Sequence, residues 1–408
     1  MKINKHCFPN GLRLVHYEDT STQMVALNIV YDVGARDEHP EHTGFAHLFE
    51  HLMFGGSAHI PDYDTPLQLA GGENNAWTNN DITNYYLTVP KPNVETAFWL
   101  ESDRMLELAF SEQSLEVQRG VVMEEFKQRC LNQPYGDVGH LFRPLAFRVH
   151  PYRWPTIGKE LSHIEQATLD EVKSFFYRFY APNNAVLAVT GNISWDETVK
   201  LTEKWFAPIP RRDVPVRQLP QEPEQTQERR LTVERNVPLD ALFMGYHMCS
   251  REGADYYAFD ILSDILSNGR SSRLNRRLVQ EQNIFSGIDA YISGTRDAGL
   301  LQISGKPAAG VSLEQAEAAV RKELEELQRS PVDGQELEKV KNKFESTQIF
   351  GNINYLNVAT NLAWFELTGK AEDIDLEVER YRSVTTEQLH TVAQRTFCES
   401  NAVVLYYK

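Results

Sequence analysis

The sequence is poor in the features that would indicate a disulfide framework or a nucleic-acid-binding protein. Its 408 residues include only four cysteines, which lie far apart and form no CxxC pair. This spacing argues against paired disulfides and against a thiolate zinc site. Lysine and arginine number 41 against 57 acidic residues, a formal charge of −16. Because nucleic acid binding needs a basic surface, we do not expect a nucleic acid partner.

Long apolar runs are also missing. No segment approaches the roughly 18 uninterrupted apolar residues of a membrane span, so we expect no membrane partner. Residues 1–11 are largely polar and lack the apolar core of a secretory signal, which predicts a cytoplasmic location. Hydrophobic residues nevertheless make up 41% of the chain, enough for substantial cores. A chain of this length favours two domains.

A proline-containing stretch without apolar periodicity separates two similar halves. We predict a first domain at residues 1–208, an exposed linker at 209–229 and a second domain at 230–408. Aligned residues of the two halves lie 217 positions apart: Thr168 with Thr385, Arg178 with Arg395, and Asn184 to Val186 with Asn401 to Val403. This repeat predicts an α+β fold of two homologous domains, each a mostly antiparallel sheet with several helices covering one side.

One helical segment of the first half carries a candidate metal motif. In TGFAHLFEHLMFGGS, which starts at Thr43, His47 and His51 lie four residues apart with Glu50 beside them. Four-residue spacing places both histidines on one helix face. The order HxxEH is the inverted zinc-peptidase motif. Two histidines on a solvated helix face would give the same spacing. In the second half, the aligned residues are Ile261, Asp264 and Ile265.

A catalytic zinc site needs a third protein ligand. The segment SLEVQRGVVMEEFKQRC, from Ser114, is helical in pattern, and Gln118 and Glu125 share one of its faces. The apolar stripe near that face predicts that Glu125 points inward and Glu124 outward. Two solvated carboxylates are the alternative.

A third segment has the pattern of two strands near a turn. In GGENNAWTNNDITNYYLTV, from Gly71, residues 76–78 and 83–89 have strand character. A short strand beside a cleft can pair with an extended peptide. An ordinary hairpin fits the pattern equally well.

Residues 47–125 resemble the pitrilysin/insulinase family of metallopeptidases, which includes the mitochondrial processing peptidases. The shared features are HxxEH with its following glycines, Asn75-Ala76-Trp77-Thr78, Asn84-Tyr85-Tyr86, and the helix from Gln118 to Glu125. A weaker similarity extends over the whole chain, and the duplicated halves fit the same family.

The resemblance implies one zinc ion per chain and a role for each matching residue. His47, His51 and Glu125 would be the zinc ligands, and Glu50 the general base. Asn75, Ala76, Trp77 and Thr78 would form the strand that holds a peptide substrate. The implied activity is that of a zinc-dependent endopeptidase acting on peptides or small unfolded polypeptides.

The sequence departs from the family pattern at two places. Gln118 stands where the family often has a glutamate that supports the metal site, and a glutamine can still hydrogen-bond the site but carries no charge. Family members that are active alone usually carry an arginine and a tyrosine seven residues apart, where this chain has Val279 and Ser286. The chain therefore resembles the zinc-bearing subunit of two-subunit members, which implies a homologous partner in a hetero- or homodimer. A non-catalytic scaffold and a peptide-binding protein are the alternatives.

Overall fold

The computed structural model describes all 408 residues. The strands are β1 (Asn4–Cys7), β2 (Arg13–Glu18), β3 (Met24–Tyr31), β4 (Glu73–Thr78), β5 (Thr83–Pro90), β6 (Ala185–Gly191), β7 (Arg229–Val233), β8 (Ala241–His247), β9 (Phe285–Ile292), β10 (Leu300–Pro307) and β11 (Ala402–Tyr407). The helices are α1 (Phe45–Leu52), α2 (Asp64–Leu69), α3 (Val94–Leu106), α4 (Glu112–Phe126), α5 (Val138–Ala146), α6 (Leu161–Glu165), α7 (Leu169–Phe179), α8 (Trp195–Trp205), α9 (Tyr256–Ser267), α10 (Leu313–Arg329), α11 (Gly334–Gly351), α12 (Tyr355–Thr368), α13 (Glu377–Ser383) and α14 (Thr386–Thr396). None of the helices is long and apolar enough to cross a membrane.

The two sheets have the same strand order, which confirms the α+β class. The first sheet runs β1-β2-β6-β3-β5-β4, and the second runs β7-β11-β8-β10-β9. Apart from the additional β1, the strands correspond in spatial order: β2 with β7, β6 with β11, β3 with β8, β5 with β10 and β4 with β9. Each sheet is antiparallel except for one parallel pair, which is β2 with β6 in the first sheet and β7 with β11 in the second. The structure therefore repeats one topology, as the sequence repeat predicts.

Each sheet is covered on both faces, whereas the sequence predicted helices on one side. One face of the first sheet packs on the core that includes α1, α3 and α7, and its other face packs on α12. The second sheet packs on α9, α10 and α14 on one face and on α5 on the other. Buried apolar side chains on both faces of β6 and β11 explain the second layer, since a bare face would leave them in water.

The compact units do not coincide with the predicted domain ranges 1–208 and 230–408. One unit contains Met1–Arg129, Trp154–Pro220 and Ile349–Leu376, and the other contains Cys130–Arg153, Gln221–Gln348 and Glu377–Lys408. The physical reason is the second covering layer: α12 packs on the first sheet and α5 on the second, although each lies in the other half of the sequence.

The predicted linker, 209–229, has no regular secondary structure up to β7, but its side chains are anchored. Arg217 forms ion pairs with Asp32 and Asp37 in the first unit. In the second unit, the buried Gln225 donates hydrogen bonds to the carbonyl groups of Ser400, at 3.0 Å, and Ala402, at 2.8 Å. The segment is therefore held in place by specific contacts and is not a simple exposed spacer.

Candidate metal centre

Helix α1 divides its side chains between the core and the candidate site. Leu48, Phe49 and Leu52 are buried in the core of the first unit, and the Phe49 ring stacks on that of Tyr180 at 5.1 Å. Because a helix turns once in about 3.6 residues, this packing fixes the side that carries the two histidines. Their rings lie 5.0 Å apart and nearly perpendicular, at 87°.

Helix α4 brings Glu125 to the two histidines, although about seventy residues of sequence separate them. Leu115, Val122 and Phe126 are buried, as the apolar stripe predicted, and they orient the helix. The Glu125 Oε2 atom lies 3.5 Å from His47 Nε2 and 3.4 Å from His51 Nε2. One potential ligand atom from each of the three residues lies within 4.8 Å of the other two.

The electrostatic environment suits cation binding. Burial lowers the pKa of His47 to about 4, which keeps its imidazole neutral. A hydrogen bond with His51 lowers the pKa of Glu125 and so favours the ionised carboxylate, whereas burial acts in the opposite direction. Neutral imidazole and ionised carboxylate are the forms that coordinate metals.

The donor set fits zinc. Two imidazoles and one carboxylate make the three-ligand set of catalytic zinc sites, which leaves a fourth position open. His47 is 8% exposed, and its Nδ1 atom is buried without a hydrogen-bond partner. Arg129, one helical turn after Glu125, forms a 2.8 Å ion pair with its Oε1 atom, so Oε2 is the oxygen that faces the histidines.

Glu50 lies beside the three donors and is half-buried. Burial raises the pKa of Glu50, while the Thr78 hydroxyl and His51 lower it and Glu125 raises it. The Glu50 carboxylate is therefore close enough to interact with His51 and Glu125. Thr78, predicted on the substrate strand, has a buried hydroxyl group next to Glu50.

The predicted substrate strand lies at an edge of the first sheet. β4 pairs with β5 on one side only, over the register Glu73–Thr88 to Thr78–Thr83. Ala76 packs toward the core beneath α1, and Trp77 packs on the opposite face with α12. The Asn75 side chain accepts a 2.8 Å hydrogen bond from the Ala76 N–H group. An edge strand has backbone groups that can pair with an added strand.

Other sequence-selected residues do not join the cluster. Gln118 lies near Gly55, 3.8 Å from the position that a Cβ atom there would take, and is not hydrogen bonded to Glu125. Val279 packs on the core of the second unit. Ser286 donates a hydrogen bond to the Lys306 carbonyl, at 3.1 Å, and lines a cavity of about 280 Å³.

Glu38 was not identified from the sequence. Its buried carboxylate accepts hydrogen bonds from backbone N–H groups at the start of α1. The available indication was Gly44, a residue without a side-chain oxygen at the helix start.

The HxxEH order on α1 is the motif of the inverted zinc peptidases, and it lies in one copy of a duplicated α+β topology. Comparison with known proteins agrees. Residues 13–137 match the model of "Insulinase (Peptidase family M16)", and residues 166–344 match that of the "Peptidase M16 inactive domain". The chain belongs to peptidase family M16.

Relatives with similar full-length alignments include zinc protease PqqE of Helicobacter pylori, 26% identical over 405 residues, with 98% of this chain and 91% of that protein covered. Uncharacterized zinc protease YmxG of Bacillus subtilis is 25% identical over 406 residues, with 99% and 98% covered. Among solved structures, a protease from Helicobacter pylori superposes with a TM-score of 0.95 at 26% identity, with 100% of this chain and 99% of that chain covered. The periplasmic protease PqqL of Escherichia coli gives a TM-score of 0.82 at 18% identity, and the match covers 100% of this chain and 47% of that chain.

Proposed function

We propose that the chain is a zinc-dependent endopeptidase that hydrolyses peptides or small unfolded polypeptides. The observation that carries the proposal is the convergence of His47, His51 and Glu125, from two helices, beside the carboxylate of Glu50. The two named relatives are called zinc proteases, which also supports this assignment.

His47, His51 and Glu125 would hold one zinc ion per chain. Zinc bound there would supply Lewis-acid chemistry, acidifying a water molecule and polarising a peptide carbonyl. The chain itself would hold the three ligand side chains in place and keep them in the protonation states that bind a metal. Before a metal binds, burial keeps His47 neutral, and the hydrogen bond with His51 keeps Glu125 ionised.

Glu50 would move the proton. One oxygen of its carboxylate accepts a proton from the attacking water, and the same group then donates a proton to the nitrogen of the leaving amine. Burial raises its pKa toward the range in which a carboxyl group can both accept and release a proton.

The free edge of β4 would hold the substrate backbone. An extended peptide adding to this edge forms main-chain hydrogen bonds that do not depend on its side chains. Asn75, Ala76 and Trp77 would supply this edge. Peptides and unfolded polypeptides readily supply such an extended segment, and they are the substrate class we propose.

The position of Val279 and Ser286 supports a further part of the proposal, a homologous second chain. Neither residue can replace an arginine or a tyrosine that holds a substrate carbonyl and the developing oxyanion. A second chain, identical or distinct, would supply those donors. The same observation favours one alternative for the isolated chain, a zinc-containing protein that grips peptides without cutting them.

The test compares wild type with Glu50→Gln and with Glu124→Gln, a control that removes an exposed carboxylate close to the site. Each protein is loaded with zinc and assayed with a fluorogenic peptide, alone and mixed with a homologous chain that carries the arginine and tyrosine. We expect Glu50→Gln to lose activity by about 10²- to 10⁴-fold with unchanged zinc content. Full activity in Glu50→Gln would contradict the role of Glu50.

Peptide binding is measured in parallel by fluorescence anisotropy. Cleavage by the wild type in either assay supports the endopeptidase. Binding without cleavage in both assays would contradict it and establish the peptide-binding alternative.

A further inference from the structure

The residue directly before helix α1, Gly44, has no side chain with which to cap it. Gly44 has a φ of +90°, a conformation that residues with a side chain rarely adopt. A Cβ atom there would lie 2.6 Å from Ile164 Cδ1 and 2.9 Å from the Ile157 carbonyl oxygen. Close packing and backbone conformation therefore exclude serine, threonine, aspartate and asparagine, the residues that normally satisfy the first N–H groups of a helix.

The carboxylate of Glu38 performs the capping instead. Its Oε2 atom accepts a hydrogen bond from the Gly44 N–H group, and its Oε1 atom accepts one from the Ala46 N–H group, both at 2.9 Å. Glu38 is 6% exposed, so these bonds are shielded from water. Burial raises the pKa of Glu38 to about 8, and the hydrogen bonds from the Ala46 and Gly44 N–H groups oppose that rise. Ala46 directly precedes His47, so the bonded turn is the one that carries the first zinc-ligand candidate.

The loop that presents Glu38 is bonded to the turn that follows β4. The Ala35 N–H group donates to the Asn79 carbonyl at 3.1 Å, and the Arg36 N–H group donates to the Asn80 carbonyl at 2.9 Å. A Cβ atom on Gly34 would lie 2.6 Å from the Asn80 backbone, so the loop and the turn are in direct contact. Residues 34–38 thus connect the end of the edge strand to the start of α1.

We infer that Glu38 is a positioning residue, which sets the start of α1 relative to β4 and thereby holds His47, Glu50 and His51 in register with the substrate edge. This inference rests on the proposed function. The carboxylate touches neither metal nor substrate and acts through the backbone of α1. Replacement by glutamine keeps the volume but places an amide N–H₂ group against one of the two N–H donors, so one capping bond is lost.

The experiment compares wild type, Glu38→Gln and Glu41→Gln, the last removing an exposed carboxylate of the same loop. Zinc affinity is measured by competition with a chromophoric chelator, and backbone hydrogen exchange is measured for peptides covering residues 44–48. We expect Glu38→Gln to bind zinc about 10-fold more weakly, the size of effect found for groups that orient metal ligands. Exchange at residues 44–48 should be faster, and Glu41→Gln should match wild type in both measurements.

The readouts separate this role from a general effect on stability. A residue that only stabilises the fold would lower the unfolding temperature of Glu38→Gln and leave the zinc affinity of the folded protein unchanged, which would overturn the inference. In the preparation that cleaves the fluorogenic peptide, a lower kcat at constant KM in Glu38→Gln would add support, because the substitution leaves the edge of β4 intact. Failure of the wild type to bind zinc would overturn the proposed function and this inference together, whereas equal zinc affinity in wild type and Glu38→Gln overturns the inference alone.

Discussion

Substitution of Gly44 by alanine should destabilise the protein, although alanine is the better helix former. The backbone at this position has a φ of +90°, and an added Cβ atom would meet Ile164 Cδ1 at 2.6 Å and the Ile157 carbonyl oxygen at 2.9 Å. The left-handed conformation costs an alanine about 1–2 kcal/mol. Crowding in a packed region adds about 1–3 kcal/mol. We therefore expect a loss of roughly 3 kcal/mol in the free energy of unfolding.

Gly120→Ala provides a matched control with the opposite sign. Gly120 lies inside α4, its φ is not positive, and a Cβ atom there would meet nothing within 4 Å. Alanine in a helix interior is more favourable than glycine by about 1 kcal/mol. The same change should therefore raise stability at residue 120 and lower it at residue 44.

Urea unfolding followed by far-ultraviolet circular dichroism measures both variants against wild type. The expected midpoints lie below wild type for Gly44→Ala and above it for Gly120→Ala. A Gly44→Ala variant as stable as wild type would show that the residue before α1 tolerates a side chain, contrary to this prediction.

Two further predictions concern buried charges. Burial alone would raise the pKa of Glu317, but hydrogen bonds, first that from Arg230, lower it to about 2 from its ordinary value of 4.5. A carboxyl group whose pKa is lower in the folded state stabilises the fold at pH values above its unfolded pKa. About 2 kcal/mol of the free energy of unfolding, after allowance for solvent screening, should therefore be lost between pH 4.5 and 2. A Glu317→Gln variant whose free energy of unfolding fell as steeply over that range would contradict this. Glu101 and Arg104 form an ion pair in which each residue is 1% exposed. Glu101→Gln should lower the free energy of unfolding by about 3–5 kcal/mol, because it leaves Arg104 buried without a counter-charge. A thermal unfolding curve equal to that of wild type would contradict this prediction.

Local patterns in the sequence were sufficient to predict α1, β4 and β5. Helical spacing places His47 and His51 together, and the apolar stripe of α4 predicts the inward direction of Glu125, which the structure reproduces. The repeat likewise predicted that the two sheets share one topology. These features depend on periodicity or on similarity between halves, which a single sequence contains.

The remaining features depend on contacts between distant segments. An amphipathic pattern shows that α5 and α12 have an apolar face, but not which sheet that face covers. The sequence therefore did not indicate that residues 130–153 and 349–376 group with the compact unit built mainly from the other half. The contacts of Arg217 and Gln225 depend on partners far away in the sequence, so the linker could not be recognised as anchored. Glu38 was missed because a carboxylate that caps a helix from outside has no fixed spacing.

The zinc content of the purified protein shows whether His47, His51 and Glu125 form a metal centre. Purified wild type and a His51→Ala/Glu125→Ala double variant are analysed for metal after reconstitution with zinc and removal of the unbound ion. We expect about one zinc per wild-type chain, as in other three-ligand catalytic sites, and no zinc retained by the variant. A wild type without zinc, or a double variant that retains it, would contradict the assignment of His47, His51 and Glu125 as the metal centre.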